Sequence, residues 1–243
     1  MKVNASNKNK ALIELIANPN STIFLDANFF IPPDRSKHIR NVRPLPFDQY
    51  SVIWLDPLFQ ELGGLSVHES VYDELVLDSV KRYADSKKNS RLQLFLDKHL
   101  SSTEQMLYHT YIKKLAPNSK YDPSKDNKDD RGEVKSLSYM AVKGFMYFAS
   151  HDNLPATLVE YSEKLKTGLG DMTILHPYDV IFYLYKKGYD RKGLRILYKY
   201  LYYLSDDDKK RNPSWEEFIS AMEETYAEMI FKTKVKNGYA VSK

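Results

Sequence analysis

Four carboxylates stand where an α/β chain can use them for chemistry: Asp26, Glu74, Glu133 and Asp152. Asp26 ends the apolar run Thr22-Ile23-Phe24-Leu25, which reads as a buried strand. Glu74 lies one turn into the helix expected after a short strand at residues 65–67. Glu133 opens the helix that follows a polar loop, and Asp152 comes three residues after a third strand. In an open parallel sheet, groups just past the carboxyl ends of strands converge on one edge. Carboxylates gathered there repel one another and raise each other's pKa. A hard divalent cation offsets that repulsion, and Mg2+ or Mn2+ suits carboxylate and water ligands. One or two such ions lower the pKa of a bound water and stabilise charge on a phosphodiester. The chemistry indicated is phosphodiester hydrolysis, with Asp26, Glu133 and Asp152 on the metal and Glu74 on the metal or the attacking water. Asp130 is a further candidate ligand.

Each residue also has a plainer reading. The chain holds 32 acids, and most acids face solvent. Asp26 is the sharpest of the four, because a carboxylate directly after Ile-Phe-Leu is rarely buried without a partner. Glu133 fits equally a first-turn acid favoured by the helix dipole. Asp152 fits a turn residue ahead of Pro155. Asn28 and Ser150 either support the site by hydrogen bonds or serve as ordinary turn residues. His151 reads as a solvent-exposed loop histidine rather than a base. The loop 31–46 has four prolines and carries Arg35, Lys37, Arg40 and Arg43. It leaves the strand that delivers Asp26, so it is placed to hold RNA phosphates in salt-sensitive contacts. Lys209-Lys210-Arg211 and the basic tail 232–243 read as solubilising surface. The tyrosines from Tyr198 to Tyr203 read as packing, with base stacking or self-association as the alternatives.

The elements that must position these groups alternate. Helices are expected at residues 9–18, 47–62, 71–100 (continuous or broken near Ser86 to Ser90), 101–115, 132–143, 155–165, 177–188, 190–205 and 214–231. Strands are expected at 22–26, 65–67, 145–149 and 172–175. Ser101 with Glu104, and Ser214 with Glu217, are capping boxes. Short apolar strands alternating with helices argue for a parallel sheet covered on both faces. The expected division is a nuclease domain over residues 1–205, with core 22–188, inserted loop 31–46 and extra helix 101–115. A C-terminal helix and basic tail follow over 206–243.

Composition narrows the classes. The chain of 243 residues has no cysteine, so disulfides and thiolate metal sites are excluded and the cytoplasm is the expected location. No apolar run approaches the roughly 18 residues of a membrane helix. A net charge of +4 is mild and favours nucleic acid only weakly.

The same residues resemble the PIN-domain family. Thr22-Ile23-Phe24-Leu25-Asp26-Ala27-Asn28 is similar to that family's first strand with its aspartate and small polar residue. Ser70-Val71-Tyr72-Asp73-Glu74-Leu75 resembles the Val-x-x-Glu-Leu block, and Asp130-Arg131-Gly132-Glu133 the Gly-Glu block. Phe148-Ala149-Ser150-His151-Asp152 resembles the fourth block, and Ile174 to Asp179 the last strand and helix. The blocks occur in order, with 18 residues between Glu133 and Asp152. The resemblance implies a three-layer α/β/α fold with a four- or five-stranded parallel sheet and extra C-terminal helices. It also implies a Mg2+ or Mn2+ site and RNA cleavage leaving a 5′-phosphate and a 3′-hydroxyl. The gaps from Asp26 to Glu74 and from Glu74 to Glu133 are longer than in compact members. Rival readings keep the fold as a non-catalytic RNA-binding or protein-interaction module, with a protein inhibitor or a second copy of the chain as partner. A DNA substrate is a further rival.

Overall fold

A computed structural model describes residues 2–37, 39, 42–88 and 90–231, Lys37 by its backbone alone. Five short strands, β1 (Ile23–Leu25), β2 (Leu65–His68), β3 (Gln93–Phe95), β4 (Tyr147–Ala149) and β5 (Thr173–Leu175), form one sheet in the order β3-β2-β1-β4-β5. Every pairing is parallel, and Leu25, Ala149 and Leu175 stand in register across three strands. The fold is therefore α/β, with helices on both faces of an all-parallel sheet.

The strands are apolar on both sides because both faces are covered. Phe24, Phe148 and Ile174 point into one core, with Ile112 and Leu115 of α6 (Ser102–Leu115), Val134 and Leu137 of α7 (Arg131–Lys143), and Leu158 of α8 (Asn153–Glu160). Ile23, Leu25, Ala149 and Leu175 point into the other. That core takes residues from α1 (Lys10–Ala17), α10 (Pro177–Lys186), α11 (Arg191–Tyr202) and α13 (Trp215–Thr225). Burying each large apolar side chain contributes about 1.5–3 kcal/mol. Trp215, Phe218 and Met222 join this second core, so the helix expected to begin a C-terminal appendage packs with the sheet domain. By contrast α12 (Asp206–Arg211) buries no residue. Tyr198, Tyr202 and Tyr203 are buried, as the packing reading of that stripe requires. Both expected capping boxes form.

Two expectations change. The helix expected over 71–100 is instead α4 (Glu69–Glu74), α5 (Asp78–Lys87), which ends at the expected break near Ser86 to Ser90, and the edge strand β3. Leu92-Gln93-Leu94-Phe95 has apolar residues at alternate positions, and pairing with β2 overrides its helix-compatible composition. The helix expected over 47–62 runs from α2 (Phe47–Tyr50) to α3 (Asp56–Glu61) through a π turn at Ser51–Leu55. Pro57 follows that turn. It offers no N–H, and its ring crowds the carbonyl four residues back, so widening the helix there relieves the conflict. The π turn bears on the site: Tyr50 OH and Trp54 Nε1 both donate to Phe29 O, at 2.8 and 3.0 Å. They pin the 3-10 turn Ala27–Phe29 that follows Asp26.

Candidate metal centre

Asp26 emerges from β1 into the first turn of that 3-10 segment and is buried. Its Oδ1 accepts from Ala27 N at 2.7 Å. Its Oδ2 accepts from Ser150 Oγ at 2.7 Å and Asn28 Nδ2 at 2.6 Å. Asn28 Nδ2 also reaches Asp152 Oδ2 at 3.0 Å, while Asn28 Oδ1 accepts from His151 N at 3.2 Å. Ser150 Oγ accepts from Asp152 N at 3.0 Å. Asn28 and Ser150 thus join the ends of β1 and β4 and set the spacing between Asp26 and Asp152. Asp152 occupies the residue before α8 but makes no capping bond, so the helix-start reading does not explain its carboxylate.

Glu133 sits in the first turn of α7. One oxygen from each of Asp26, Glu133 and Asp152 lies within 4.8 Å of the other two. Glu74, at the end of α4, accepts from Gly132 N at 3.0 Å and lines the same cavity, which has a volume of about 330 Å³. The four acids that the sequence singled out therefore border one pocket at the carboxyl ends of the strands. Asp130 stands apart from the trio: its carboxylate accepts from Lys120 N at 2.8 Å.

The electrostatics follow from this crowding. Burial pushes the Asp26 carboxyl well above its ordinary range, and the Glu133 carboxylate adds to the effect, while the Ser150 hydroxyl opposes it. Burial, with help from Glu74 and Asp152, pushes Glu133 up to about 7. Burial raises Glu74 too, against the Gly132 N–H and Arg131. His151 is not the solvent-exposed loop residue expected. Burial lowers it to about 4, and its ring meets Tyr202 edge-on at 5.3 Å. It lines the pocket as a neutral imidazole at neutral pH.

The donor set is all oxygen, as Mg2+ or Mn2+ prefers. An octahedral ion of this size holds opposite ligands about 4.2 Å apart. Adjacent ligands lie about 3.0 Å apart, so a trio spread over up to 4.8 Å would draw in by about an ångström or hold the ion partly through the waters that Mg2+ keeps. These residues fit such an ion.

The basic loop is only partly described. Lys37's side chain, Arg40 and the tail 232–243 lie outside the described residues. Ile31, Pro32 and Pro33 form an apolar wall of the pocket, with Leu201 beside them. Arg35 stands 5.5 Å over the ring of Tyr200, whose hydroxyl donates to Arg43 O at 2.7 Å. The loop is thereby tied to α11 beside the acids, and the Arg43 side chain is exposed.

Sequence reasoning missed a second polar group at this edge. His68 ends β2, fully buried, with Nδ1 2.7 Å from Ser70 Oγ and Nε2 3.0 Å from Asp97 Oδ1. Tyr108 OH donates to Asp97 Oδ2 at 3.2 Å, and Asp97 N donates to Glu69 Oε1 at 2.6 Å. Ser70 Oγ approaches Gly132 O at 3.5 Å. Every member has a partner, so the group acts as a brace between α4 and the start of α7. A histidine closing a strand was the available signal; Asp97 was hidden by the helix assigned to its segment. Comparison with family profiles, curated proteins and solved structures finds no match for this chain.

Proposed function

We propose that this chain is a PIN-like ribonuclease that hydrolyses RNA phosphodiesters with a divalent metal ion. The observation that carries the reading is the convergence of Asp26, Glu133 and Asp152 to within 4.8 Å, with two of the three carboxyls raised by their surroundings. Such a cluster is unfavourable alone and becomes favourable around a cation. Bound there, Mg2+ or Mn2+ supplies a water of lowered pKa and neutralises charge on the phosphodiester oxygens.

The chain's own residues do the rest. Asp26, Glu133 and Asp152 would hold the ion through their carboxylates. Asn28 and Ser150 keep Asp26 and Asp152 in place, using hydrogen bonds already formed. Glu74, fixed by Gly132 N, has a free edge toward the pocket with which to accept a proton from an attacking water. Pro32, Pro33 and Leu201 exclude bulk water on the far side, which strengthens the electrostatics within.

The test incubates the full chain with end-labelled RNA and DNA in Mn2+, Mg2+ or EDTA, beside Asp26→Asn. Expected are RNA cleavage with either metal, 5′-phosphate products, and none in EDTA or with the variant. Cleavage that persists in EDTA or in Asp26→Asn, or no cleavage with either metal, overturns the reading. Equal cutting of DNA replaces RNA by a broader substrate.

A further inference from the structure

Beside the acidic pocket, two larger cavities run together along α8 and α9 (Ser162–Leu165), with volumes of about 630 and 620 Å³. They share Asn4, Glu160, Tyr161, His176 and Tyr178. One wall is a face of α8, with Asn153, Thr157 and Glu160 at three- and four-residue spacing, continued by Tyr161 at the junction and Lys164 on α9. It begins at Asn153, the residue after Asp152, although the groove and the acidic pocket share no lining residue. The α8 part alone runs for about 12 Å at 1.5 Å per residue, room for about three phosphates at the stacked spacing of about 3.4 Å.

The opposite wall is the N-terminal segment, and it is firmly built. Val3 N donates to Asn212 Oδ1 at 2.8 Å, Thr225 Oγ1 to Ala5 O at 2.7 Å, and Asn9 N to Tyr226 OH at 2.6 Å. These bonds stitch the segment to α13 and its flanks. The groove carries Lys2, Lys8, Lys10 and Lys164 against Glu160 and Glu163. The pair of Lys8 with Glu228, at 3.5 Å, is exposed and weak.

One observation decides the kind of ligand. Among the described residues, every Tyr, Phe and Trp is buried or half-buried except Tyr161, which is 54% exposed and lies in this groove. An exposed ring among lysines and asparagines is the surface on which single-stranded bases stack while their phosphates are neutralised.

We propose that this groove is a track for single-stranded RNA, in which Tyr161 stacks a base and Lys10 and Lys164 hold phosphates of the strand led away from Asp152. It rests on the hydrolase reading only for where the strand is led, and binding along the groove stands without cleavage.

The test measures fluorescence anisotropy of a labelled single-stranded oligouridylate with the full chain in EDTA, across a salt series. The Lys10→Glu/Lys164→Glu variant is expected to bind roughly tenfold more weakly, with a salt slope shallower by about 1.4 for two lost contacts. Tyr161→Ala is expected to bind about tenfold more weakly with its slope unchanged. Lys209→Glu/Lys210→Glu, a charge change of equal size on α12, is expected to bind as the parent does. All three variants should hydrolyse the small diester bis(p-nitrophenyl) phosphate in Mn2+ at the parent rate. Groove variants that bind normally, an equal loss in the α12 variant, no oligonucleotide binding by the parent at 50 mM salt (about the low-salt limit of such contacts), or a duplex that competes as well as the single strand would overturn the track. Loss of binding in the groove variants alone, with no parental hydrolysis of any diester, would keep the track and remove the hydrolase reading.

Discussion

Gly132 gives the sharpest test of how the acids are held, because its role is close approach rather than unusual backbone. It lies in the first turn of α7, and a Cβ there would fall 2.6 Å from Glu74 Oε1 and 2.9 Å from Oε2. Gly132→Ala therefore forces the Glu74 carboxylate aside and breaks its 3.0 Å bond to Gly132 N. A hydrogen bond to a charged group contributes about 1.5–3 kcal/mol, and the lower end applies because Glu74 is half-buried. Alanine in place of glycine in a helix returns about 0.5–1 kcal/mol. The net expected loss is about 1 kcal/mol. In a Glu74→Ala background the obstruction is gone and only the helix term remains. There Gly132→Ala should stabilise by about 0.5–1 kcal/mol, so the sign of the effect reverses. Urea unfolding of the four proteins of this cycle in EDTA measures it. Gly132→Ala should also lower metal-dependent cleavage as far as Glu74→Ala does, and the double variant no further. The same sign in both backgrounds would refute the packing argument. Full activity in Gly132→Ala would refute the role given to Glu74.

Glu133→Gln removes a carboxylate pressed upward by burial and by Glu74 and Asp152, so it should raise the melting temperature in EDTA at pH 8; a lower one contradicts the crowding. Added Mn2+ should raise the melting temperature of the parent but not of Glu133→Gln, since only a folded site binds the ion; equal shifts would place the ion elsewhere. Asp179, buried between α1 and α10, is pushed up to about 8 by burial. Its folded value exceeds its unfolded one near 3.8, so its cost is absent below about pH 4 and grows as pH rises toward 8. Asn9 Nδ2 and His176 N both donate to one oxygen, Asp179 Oδ2, which an asparagine can reproduce. Asp179→Asn should therefore flatten stability against pH over that window, and an unchanged slope in thermal melts would contradict the assignment. Tyr200→Ala removes a hydrogen bond of about 1 kcal/mol and a cation–π contact of about 0.5–1 kcal/mol from the loop 31–46. Tryptic cleavage after Arg35 should accelerate about tenfold, and an unchanged rate would show the tie to be idle.

The sheet was legible because burial on both faces leaves an unbroken apolar trace: Ile23-Phe24-Leu25 and Ile174-Leu175 cannot serve a surface helix. The four acids were legible for a related reason. Asp26 directly follows such a trace, Asp152 and Glu133 stand where a helix begins, Glu74 lies a turn into the helix after β2, and a parallel sheet brings those positions to one edge. β3 was not legible, since the apolar run Leu92 to Leu96 fits a helix as well as a strand, and only pairing with β2 makes it a strand. Its loss also hid Asp97 and the brace around His68. The burial of His151 depends on Tyr202, 51 residues further along the chain, and no local pattern records that contact. The hold of Tyr50 and Trp54 on Phe29 O is likewise a long-range bond that shapes the turn after Asp26.

Anomalous diffraction from a crystal soaked in Mn2+ tests the central claim most directly. A peak bounded by the carboxylates of Asp26, Glu133 and Asp152, absent from an Asp26→Asn crystal, is the predicted result. No peak in that pocket, or manganese bound only on other surfaces of the molecule, would contradict it.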